Sequence, residues 1–199
     1  MENSVCKIIK DCYRGTGFLC IIPFPNINSK FPTLITVNHL VNEDDISKGK
    51  LIFFVYGNGG CYQNKIRLND SRKILTDRDL DVTIIEIKKS DKIKSDYLEL
   101  DKQILNNDDN FINNFEDIVI YIIGYGSSQT LGHSVGSIKE IDNDEHLSYY
   151  CSNDSGSTGS PIMNLSNFKV IGIHTSGKYY ISRGVLLKNA IKKFLNKFG

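Results

Sequence analysis

The chain of 199 residues has no tryptophan, one alanine and four prolines, and its charges nearly cancel, with 24 Lys and Arg against 23 Asp and Glu. The chain is not strongly basic, as proteins that bind nucleic acids or anionic membranes are, so we expect neither a nucleic acid nor a membrane as partner. No apolar run approaches the roughly 20 residues of a transmembrane helix. Hydrophobic residues make up 40% of the chain, which excludes a wholly disordered protein.

Closely spaced metal-binding pairs are also missing. The five cysteines include no Cys-x-x-Cys, and the four histidines lie far apart in sequence, so we expect no metal and no cofactor. Residues 77–82 imitate the start of a calcium loop, but Val82 stands where that loop needs glycine. The N-terminal Met-Glu-Asn-Ser-Val-Cys lacks the basic and then apolar layout of a secretion signal, which predicts a cytoplasmic location and free thiols instead of disulfides.

Many short apolar stretches, rich in Ile, Val, Phe and Tyr, are separated by Gly, Asn, Asp and Ser. This pattern predicts antiparallel β-structure, and the lack of helix-period segments between the stretches favours a sandwich or a barrel. The predicted strands are residues 17–23, 33–37, 50–56, 81–87, 117–125, 135–141 and 170–175.

The C-terminal segment has a different period. From residue 186 to residue 198, apolar side chains recur at helical spacing, with lysines mostly offset from them, which predicts an α-helix that docks on its own barrel. The polar segment 101–116, rich in Asn and Asp, is the predicted linker between an N-terminal half (residues 1–100) and a C-terminal half (residues 117–199).

Residues 155–161 read Ser-Gly-Ser-Thr-Gly-Ser-Pro and are the most informative stretch. Small residues and glycines before a proline allow a tight loop whose backbone N–H groups converge, as an oxyanion site requires. A hydroxyl nucleophile there needs a base, and the base needs an orienting carboxylate. His39 ends one apolar strand and Asp81 begins another. Asp77 and Asp79 compete for the acid role, and we prefer Asp81 because it directly enters its strand.

The order His39, Asp81 and then a Gly-x-(Ser/Thr)-Gly-Ser-Pro loop resembles the chymotrypsin-like (trypsin-fold) serine peptidases, over approximately residues 5–195. The resemblance implies an all-β fold of two antiparallel β-barrels with a C-terminal α-helix. It also implies an endopeptidase that cleaves a peptide or protein substrate through an acyl-enzyme. His39 would be the general base and Asp81 its orienting acid, while the N–H groups of Gly156 and Thr158 would form the oxyanion hole.

The family pattern has serine at the nucleophile position, where this chain has Thr158. A register through residues 154–156 would put Thr158 where the family has proline, so we reject it. Fitting the extra methyl group of threonine into a packed site costs ~1–3 kcal/mol, which corresponds to a rate lower by about one to two orders of magnitude. Thr158 therefore fits a slower nucleophile, a degenerate enzyme or a substitution made to slow turnover, and all three remain open at this point.

The resemblance also predicts the pocket for the residue before the cleaved bond. His174, Thr175 and Ser176 lie on the strand that lines this pocket in the family, and Ser152 stands where trypsin has its pocket aspartate. The run 172–174, Gly-Ile-His, resembles the glutamyl endopeptidases and the picornavirus-type proteases that cut after Gln. A histidine donor suits a carboxylate or amide oxygen, so we expect cleavage after Glu or Gln and not after basic residues.

Two functions are compatible with these motifs. One is the endopeptidase, and the other is a catalytically impaired peptidase-fold protein that binds peptides without turning them over. Retention of His39, Asp81, Gly156 and Gly159 favours the enzyme, because a protein that only binds has less physical need for all four.

Overall fold

The computed structural model describes residues 1–10, 13–26, 28–57, 60–106, 115, 118–126, 130–143, 145–151, 157–178 and 180–199. Within these residues, fourteen strands and two α-helices are present, and the strands form two sheets. Among the described residues, no helix is long and apolar enough to span a membrane.

The first sheet is built from the N-terminal half of the chain. Its strands are β1 (Val5–Lys10), β2 (Tyr13–Ile22), β3 (Phe31–Thr36), β4 (Lys50–Gly57), β5 (Gly60–Arg67), β6 (Ile74–Asp77), β7 (Val82–Glu86) and β8 (Leu98–Glu99). Seven of them follow the order β5-β4-β1-β2-β3-β7-β6, and β8 pairs parallel to β2. The short helix α1 (Glu43–Ser47) begins after Asn42, whose side chain accepts a hydrogen bond from the Asp45 N–H at 3.2 Å.

The second sheet closes into a six-stranded barrel. Its strands are β9 (Val119–Tyr125), β10 (Leu131–Asp142), β11 (His146–Tyr150), β12 (Pro161–Asn164), β13 (Val170–Lys178) and β14 (Ile181–Leu186). They close in the order β10-β11-β14-β13-β12-β9. Closure leaves none of these six strands as a free edge.

Helix α2 (Leu187–Phe198) ends the chain and matches the predicted C-terminal helix. Its apolar stripe is buried, as the spacing predicts. The helix also reaches the first sheet, because the Phe194 ring lies 5.5 Å from the Phe24 ring and 5.8 Å from the Phe31 ring. The expectation that it docks on its own barrel is therefore incomplete, since α2 packs against both sheets.

The predicted fold class is confirmed: the chain is mostly β, with two sheets and a C-terminal helix. The first sheet follows an open path in the described residues, whereas the second is closed. Buried apolar residues of both sheets form one continuous core cluster. The division of the chain at 101–116 stays a prediction, and most of that segment lies outside the described residues.

The cysteines agree with the expectation of free thiols wherever they are described. Cys6, Cys20 and Cys151 are buried thiols that form no disulfide. Burial raises the pKa of each thiol, so these side chains behave as small apolar core residues. Cys12 and the side chain of Cys61 lie outside the described residues.

Candidate active site

His39 and Asp81 are brought into contact beyond the end of β3 and at the start of β7, two neighbouring strands of the first sheet. The His39 Nδ1 atom lies 2.7 Å from Asp81 Oδ2, and the His39 backbone N–H donates to Asp81 Oδ1 at 2.9 Å. The Asn38 backbone N–H also donates to the Asp81 carbonyl, at 3.2 Å. Three contacts between two short segments therefore fix the imidazole relative to the carboxylate, which leaves Nε2 available to accept a proton.

Asp81 has an unusual backbone conformation, with φ of 52°. Few residues without a glycine's freedom adopt this left-handed region, and aspartate is among the more tolerant. The turn that places Asp81 is built by Asp77, whose Oδ1 accepts the N–H groups of Asp79 and Leu80 at 3.1 and 3.0 Å. Asp77 is thus engaged in the turn, and Asp81 is the aspartate that contacts His39.

Asp77 has a second contact, to the C-terminal helix. Its Oδ2 atom lies 2.5 Å from Lys193 Nζ. Burial alone would raise the pKa of Asp77, but the hydrogen bonds from Lys193 and the turn hold that pKa below its ordinary value. The turn that carries Asp81 is therefore tied to α2.

Thr158 lies in the loop before β12, at the contact between the two sheets. Its carbonyl accepts the Thr16 N–H of β2 at 2.8 Å. The next residue, Gly159, has φ of 89°, and a Cβ there would lie 1.9 Å from the Thr16 carbonyl oxygen. Only glycine fits this position without displacing the backbone of β2. Gly159 belongs to the loop predicted from the sequence, and the close approach to β2 gives the physical reason for a glycine there.

Thr16 is a functional-site residue that the sequence analysis missed. Besides its contact with the Thr158 loop, its carbonyl accepts the Thr36 hydroxyl at 2.8 Å, and its hydroxyl accepts the Tyr125 N–H at 2.9 Å. It is fully buried. One threonine of β2 therefore joins the Thr158 loop to β3, which leads to His39, and to β9 of the barrel. No sequence motif predicts this role of Thr16, because it depends on three partners that are distant in the chain.

The Thr158 side chain has a different orientation from the one that the predicted catalytic triad requires. Its hydroxyl donates to the Thr175 carbonyl at 3.5 Å, a long hydrogen bond. Within the described part of the chain, no hydrogen bond joins this hydroxyl to the His39 ring. The Gly15 backbone nevertheless shows that the two segments are close, since a Cβ there would lie 2.6 Å from a Leu40 methyl and 3.1 Å from the Thr158 carbonyl oxygen.

His174 lies on β13 and is 2% exposed. Its Nδ1 atom is 2.5 Å from the hydroxyl of Tyr149, which is fully buried on β11. Burial lowers the pKa of His174 to about 4, partly opposed by a hydrogen bond with the Arg183 main chain. The imidazole is therefore neutral at pH 7, with one donor nitrogen and one acceptor nitrogen. Tyr149 is the second residue that the sequence analysis missed.

A cleft of about 620 Å³ lies between the His39–Asp81 pair and β13, and neither Thr158 nor His174 is among its described lining residues. It is lined by His39 and Asp81 on one side and by Thr175, Ser176 and Arg183 on the other. Two of the predicted pocket residues, Thr175 and Ser176, thus share a cleft with the His39–Asp81 pair. The Thr175 hydroxyl donates to the Arg183 carbonyl at 3.3 Å.

Two predicted site residues, Gly156 of the oxyanion hole and Ser152 of the pocket, lie outside the described residues. Among those that are described, no group of three or more His, Cys, Asp and Glu side chains is arranged to hold a metal ion.

Three solved structures show that the fold is that of chymotrypsin-like proteases. A Glu endopeptidase aligns with 98% of this chain and 90% of its own, at 18% identity and a TM-score of 0.66. A human pathogenic astrovirus serine protease aligns over 94% and 90%, at 18% identity and a TM-score of 0.61. Deg5 aligns over 96% and 87%, at 16% identity and a TM-score of 0.64. No curated protein sequence matches the chain significantly.

A comparison of the sequence with a family profile shows the family of this chain. The profile of the 3C cysteine protease (picornain 3C) matches residues 61–178, more than half of the chain. The chain therefore belongs to the 3C cysteine protease family. The matched range includes Asp81, Thr158 and His174, whereas His39 lies before it.

The family is named for cysteine, but the predicted nucleophile position here holds Thr158. Cys151 is the nearest cysteine in sequence, and it is buried, with its Sγ atom 3.9 Å from the Val135 carbonyl oxygen. Burial raises the pKa of its thiol, although a hydrogen bond with Ser134 partly offsets this. A reactive cysteine needs the thiolate form, so the environment of Cys151 is that of a structural residue.

Proposed function

We propose that the chain is an endopeptidase that cleaves peptide bonds through an acyl-enzyme on Thr158, with His39 as general base and Asp81 as its orienting acid. The observation that carries the proposal is the contact of Asp81 with both the ring and the backbone of His39, beside a cleft that Thr175 and Ser176 also line. The family and the fold support peptidase activity and peptide or protein substrates in general. The identity of the nucleophile and the cleavage specificity are our inference.

In the first chemical step, Thr158 Oγ1 attacks the scissile carbonyl carbon, and His39 Nε2 takes the hydroxyl proton. Asp81 stabilises the imidazolium that forms. The negative charge moves to the carbonyl oxygen, where the N–H groups of Gly156 and Thr158 are the proposed donors. The C–N bond then breaks as His39 returns the proton to the leaving amine, which leaves an ester on Thr158. Water, activated by His39, hydrolyses this ester and restores the hydroxyl.

For this chemistry, the Thr158 hydroxyl has to leave the Thr175 carbonyl and turn toward His39. The present bond is long, at 3.5 Å, so its loss costs little. Hydrogen bonds in catalytic sites without substrate are often loose and become aligned only when substrate binds. Bound substrate would pair its backbone with β13 at this point and replace the hydroxyl as the partner of the Thr175 carbonyl.

The proposed specificity is for Gln over Glu before the cleaved bond. If the Tyr149 hydroxyl donates to His174 Nδ1, the ring proton is on Nε2 and can be donated to a substrate oxygen. A neutral imidazole has no charge to offset a buried carboxylate, whereas an amide needs only a hydrogen bond. The low pKa of His174 therefore favours the amide at pH 7.

A specific observation also favours the second candidate, a peptide-binding protein with impaired turnover. The Thr158 hydroxyl is bonded to Thr175 and not to His39. A fluorogenic peptide panel with Gln, Glu, Lys or Leu before the cleaved bond separates the two functions. We expect slow cleavage after Gln by the chain itself and cleavage faster by about 10- to 100-fold with Thr158→Ser, because serine removes the methyl group.

The control is Thr158→Ala, which removes the hydroxyl, and it should show no cleavage above background. If peptides bind to the chain but neither the chain nor Thr158→Ser cleaves any of them, the binding function replaces the enzymatic one. If Thr158→Ala cleaves as fast as the chain, another residue is the nucleophile.

A further inference from the structure

A second cleft, of about 400 Å³, lies on the first sheet and shares no lining residue with the cleft that holds His39 and Asp81. We call it the basic cleft. Four cationic residues line it, namely Lys65, Arg67, Arg72 and Lys88. Among its described lining residues, Asp91 is the one carboxylate, so the lining carries a formal charge of +3. The chain as a whole has a net charge of only +1, so the positive charge is concentrated here.

The back wall of the basic cleft is a fixed ion pair. Arg72 Nη1 and Nη2 each donate to one oxygen of Asp91 at 2.8 Å, and both side chains are less than 10% exposed. Arg72 also donates to the carbonyls of Arg67 at 2.7 Å and Glu86 at 2.6 Å. Although burial raises the pKa of Asp91, its bonds with Arg72 and the Lys88 backbone hold it below the ordinary value. Asp91 is therefore a permanent anion that is already occupied by Arg72.

The other three cations have no such partner. Lys65 and Arg67 are exposed and lie on one face of β5, with the buried Ile66 between them. Neither head group contacts a carboxylate within the described residues. Lys88 donates to the Ser71 carbonyl at 2.6 Å and to its hydroxyl at 3.2 Å, so its ammonium group is held at the cleft by neutral oxygens. Three like charges thus line one cleft, whose single described carboxylate, Asp91, is already bonded to Arg72 and also attracts Lys88.

We propose that the basic cleft binds a small phosphate-class oxyanion, with inorganic pyrophosphate as the probe. Lys65 and Lys88 provide point charges, and Arg67 provides a planar fork that fits two phosphate oxygens. Ser71 and Ser90 also line the cleft: the Ser90 hydroxyl can donate to a remaining oxygen, and the Ser71 hydroxyl, which donates to Asn69 Oδ1 at 2.8 Å, can do so by turning to the anion. A cleft of this volume suits a small anion, and the near-neutral chain offers little attraction to a long polyanion beyond it.

Such an anion would connect three separate segments of the first sheet. Lys65 and Arg67 belong to β5, Ser71 to the turn before β6, and Ser90 to the 3-10 turn Lys89–Asp91. A ligand that binds only the folded state raises the unfolding temperature. Binding is therefore measurable without any assay of peptidase activity, and it stands or falls independently of the proposed function.

The experiment is titration calorimetry and thermal unfolding of the full chain with pyrophosphate, at constant ionic strength. We expect saturable binding of one anion, and an unfolding temperature higher by about 3–6 °C at an anion concentration ten times the Kd. The double substitution Lys65→Gln with Arg67→Gln should raise the Kd at least tenfold. The matched control is Lys92→Gln with Lys94→Gln, which removes the same charge from another part of the surface and should change the Kd less than twofold.

Equal weakening by the two double substitutions would show diffuse attraction to surface charge and overturn the assigned site. Absence of saturable pyrophosphate binding would overturn the proposal as well. Titration with a single-stranded RNA of twelve nucleotides tests a long polyanion as the alternative ligand. Binding of that RNA without binding of pyrophosphate would replace the small anion by a polyanion.

Discussion

The two sides of the candidate site differ in how closely their side chains match the orientation that the proposed mechanism requires. On the side of the first sheet, Asp81 holds both the ring and the backbone of His39, with contacts of 2.7 and 2.9 Å. On the side of the barrel, the Thr158 backbone is fixed by Thr16, but its hydroxyl is bonded at 3.5 Å to a neighbouring strand. The His39 ring is therefore oriented in the free protein, whereas in the proposed mechanism the Thr158 hydroxyl still has to turn toward it. In the proposed mechanism, the barrel side therefore has to rearrange before the first chemical step, whereas the first-sheet side does not.

Removal of the charge on Asp81 should have the largest effect. Asp81→Asn can keep the contact with the His39 N–H but loses the acceptor that orients the ring, so kcat/KM should fall by about 10³- to 10⁴-fold. The fluorogenic panel measures this, in the Thr158→Ser background if turnover by the chain is slow. The control is Asp77→Asn, which alters an aspartate of the same turn that does not contact His39. If Asp81→Asn lowers kcat/KM by less than tenfold, the orientation of the His39 ring by Asp81 does not contribute as proposed.

Disruption of the contact between α2 and the first sheet should have the next largest effect. Phe194 is fully buried between the two sheets and packs against Phe24 and Phe31. Phe194→Ala should lower the free energy of unfolding by about 3–5 kcal/mol, measured by denaturant titration. The half-buried Phe198 of the same helix is the matched control, and Phe198→Ala should cost at least about 1 kcal/mol less. Equal costs would show that the helix does not join the two sheets through Phe194.

His174 tests the pocket on the barrel side. Its removal leaves the substrate oxygen without a donor, at a cost of roughly 1–3 kcal/mol. His174→Ala should therefore lower kcat/KM on Gln and Glu substrates by about 5- to 150-fold, with a much smaller loss for an apolar residue before the cleaved bond. Tyr149→Phe should reduce the same preference through the ring orientation. An equal loss on every substrate would show that His174 only maintains the shape of the pocket.

The ion pair between Asp77 and Lys193 should have the smallest effect. Because Lys193 is half exposed, we expect about 0.2–1 kcal/mol of stability from the pair. Asp77→Asn keeps the oxygen that accepts the turn N–H groups and removes only the charge. The pKa of Asp77 is lowered in the folded state, so its contribution is present above its unfolded pKa and is lost as the pH falls through its folded pKa. The stability difference should therefore shrink on acidification, and a constant difference from pH 7 to pH 3 would contradict the ion pair.

The sequence predicted the parts of the fold that have a strong local pattern. Apolar runs located β3, β4 and β7, and helical spacing located α2 almost to the residue. Seven strands were missed because they are short or mix apolar with polar residues and so lack a long apolar run, namely β1, β5, β6, β8, β11, β12 and β14. Strand β5, for example, lies at the edge of its sheet and exposes Tyr62 and Lys65. Edge strands need fewer apolar residues, so their sequences are harder to separate from loops.

The part of the candidate site that follows from the order of sequence motifs was predictable. His39 and Asp81 were identified from their positions at strand ends, and the structure places them in contact. Thr16 and Tyr149 were not found, because each acts through partners far along the chain and neither belongs to a local motif. The orientation of the Thr158 hydroxyl also depends on tertiary contacts, with the Thr175 carbonyl, that sequence patterns do not encode.

The central claim is that Thr158 is the nucleophile, and it is tested most directly by trapping the acyl-enzyme. The protein is incubated with an activated ester of a blocked Gln peptide, quenched in acid and mapped by peptide mass spectrometry. We predict one acyl group on Thr158, absent in Thr158→Ala and formed far more slowly in Asp81→Asn. An acyl group on Ser157 or Cys151, or no acyl group under conditions in which Thr158→Ser is labelled, would contradict the claim.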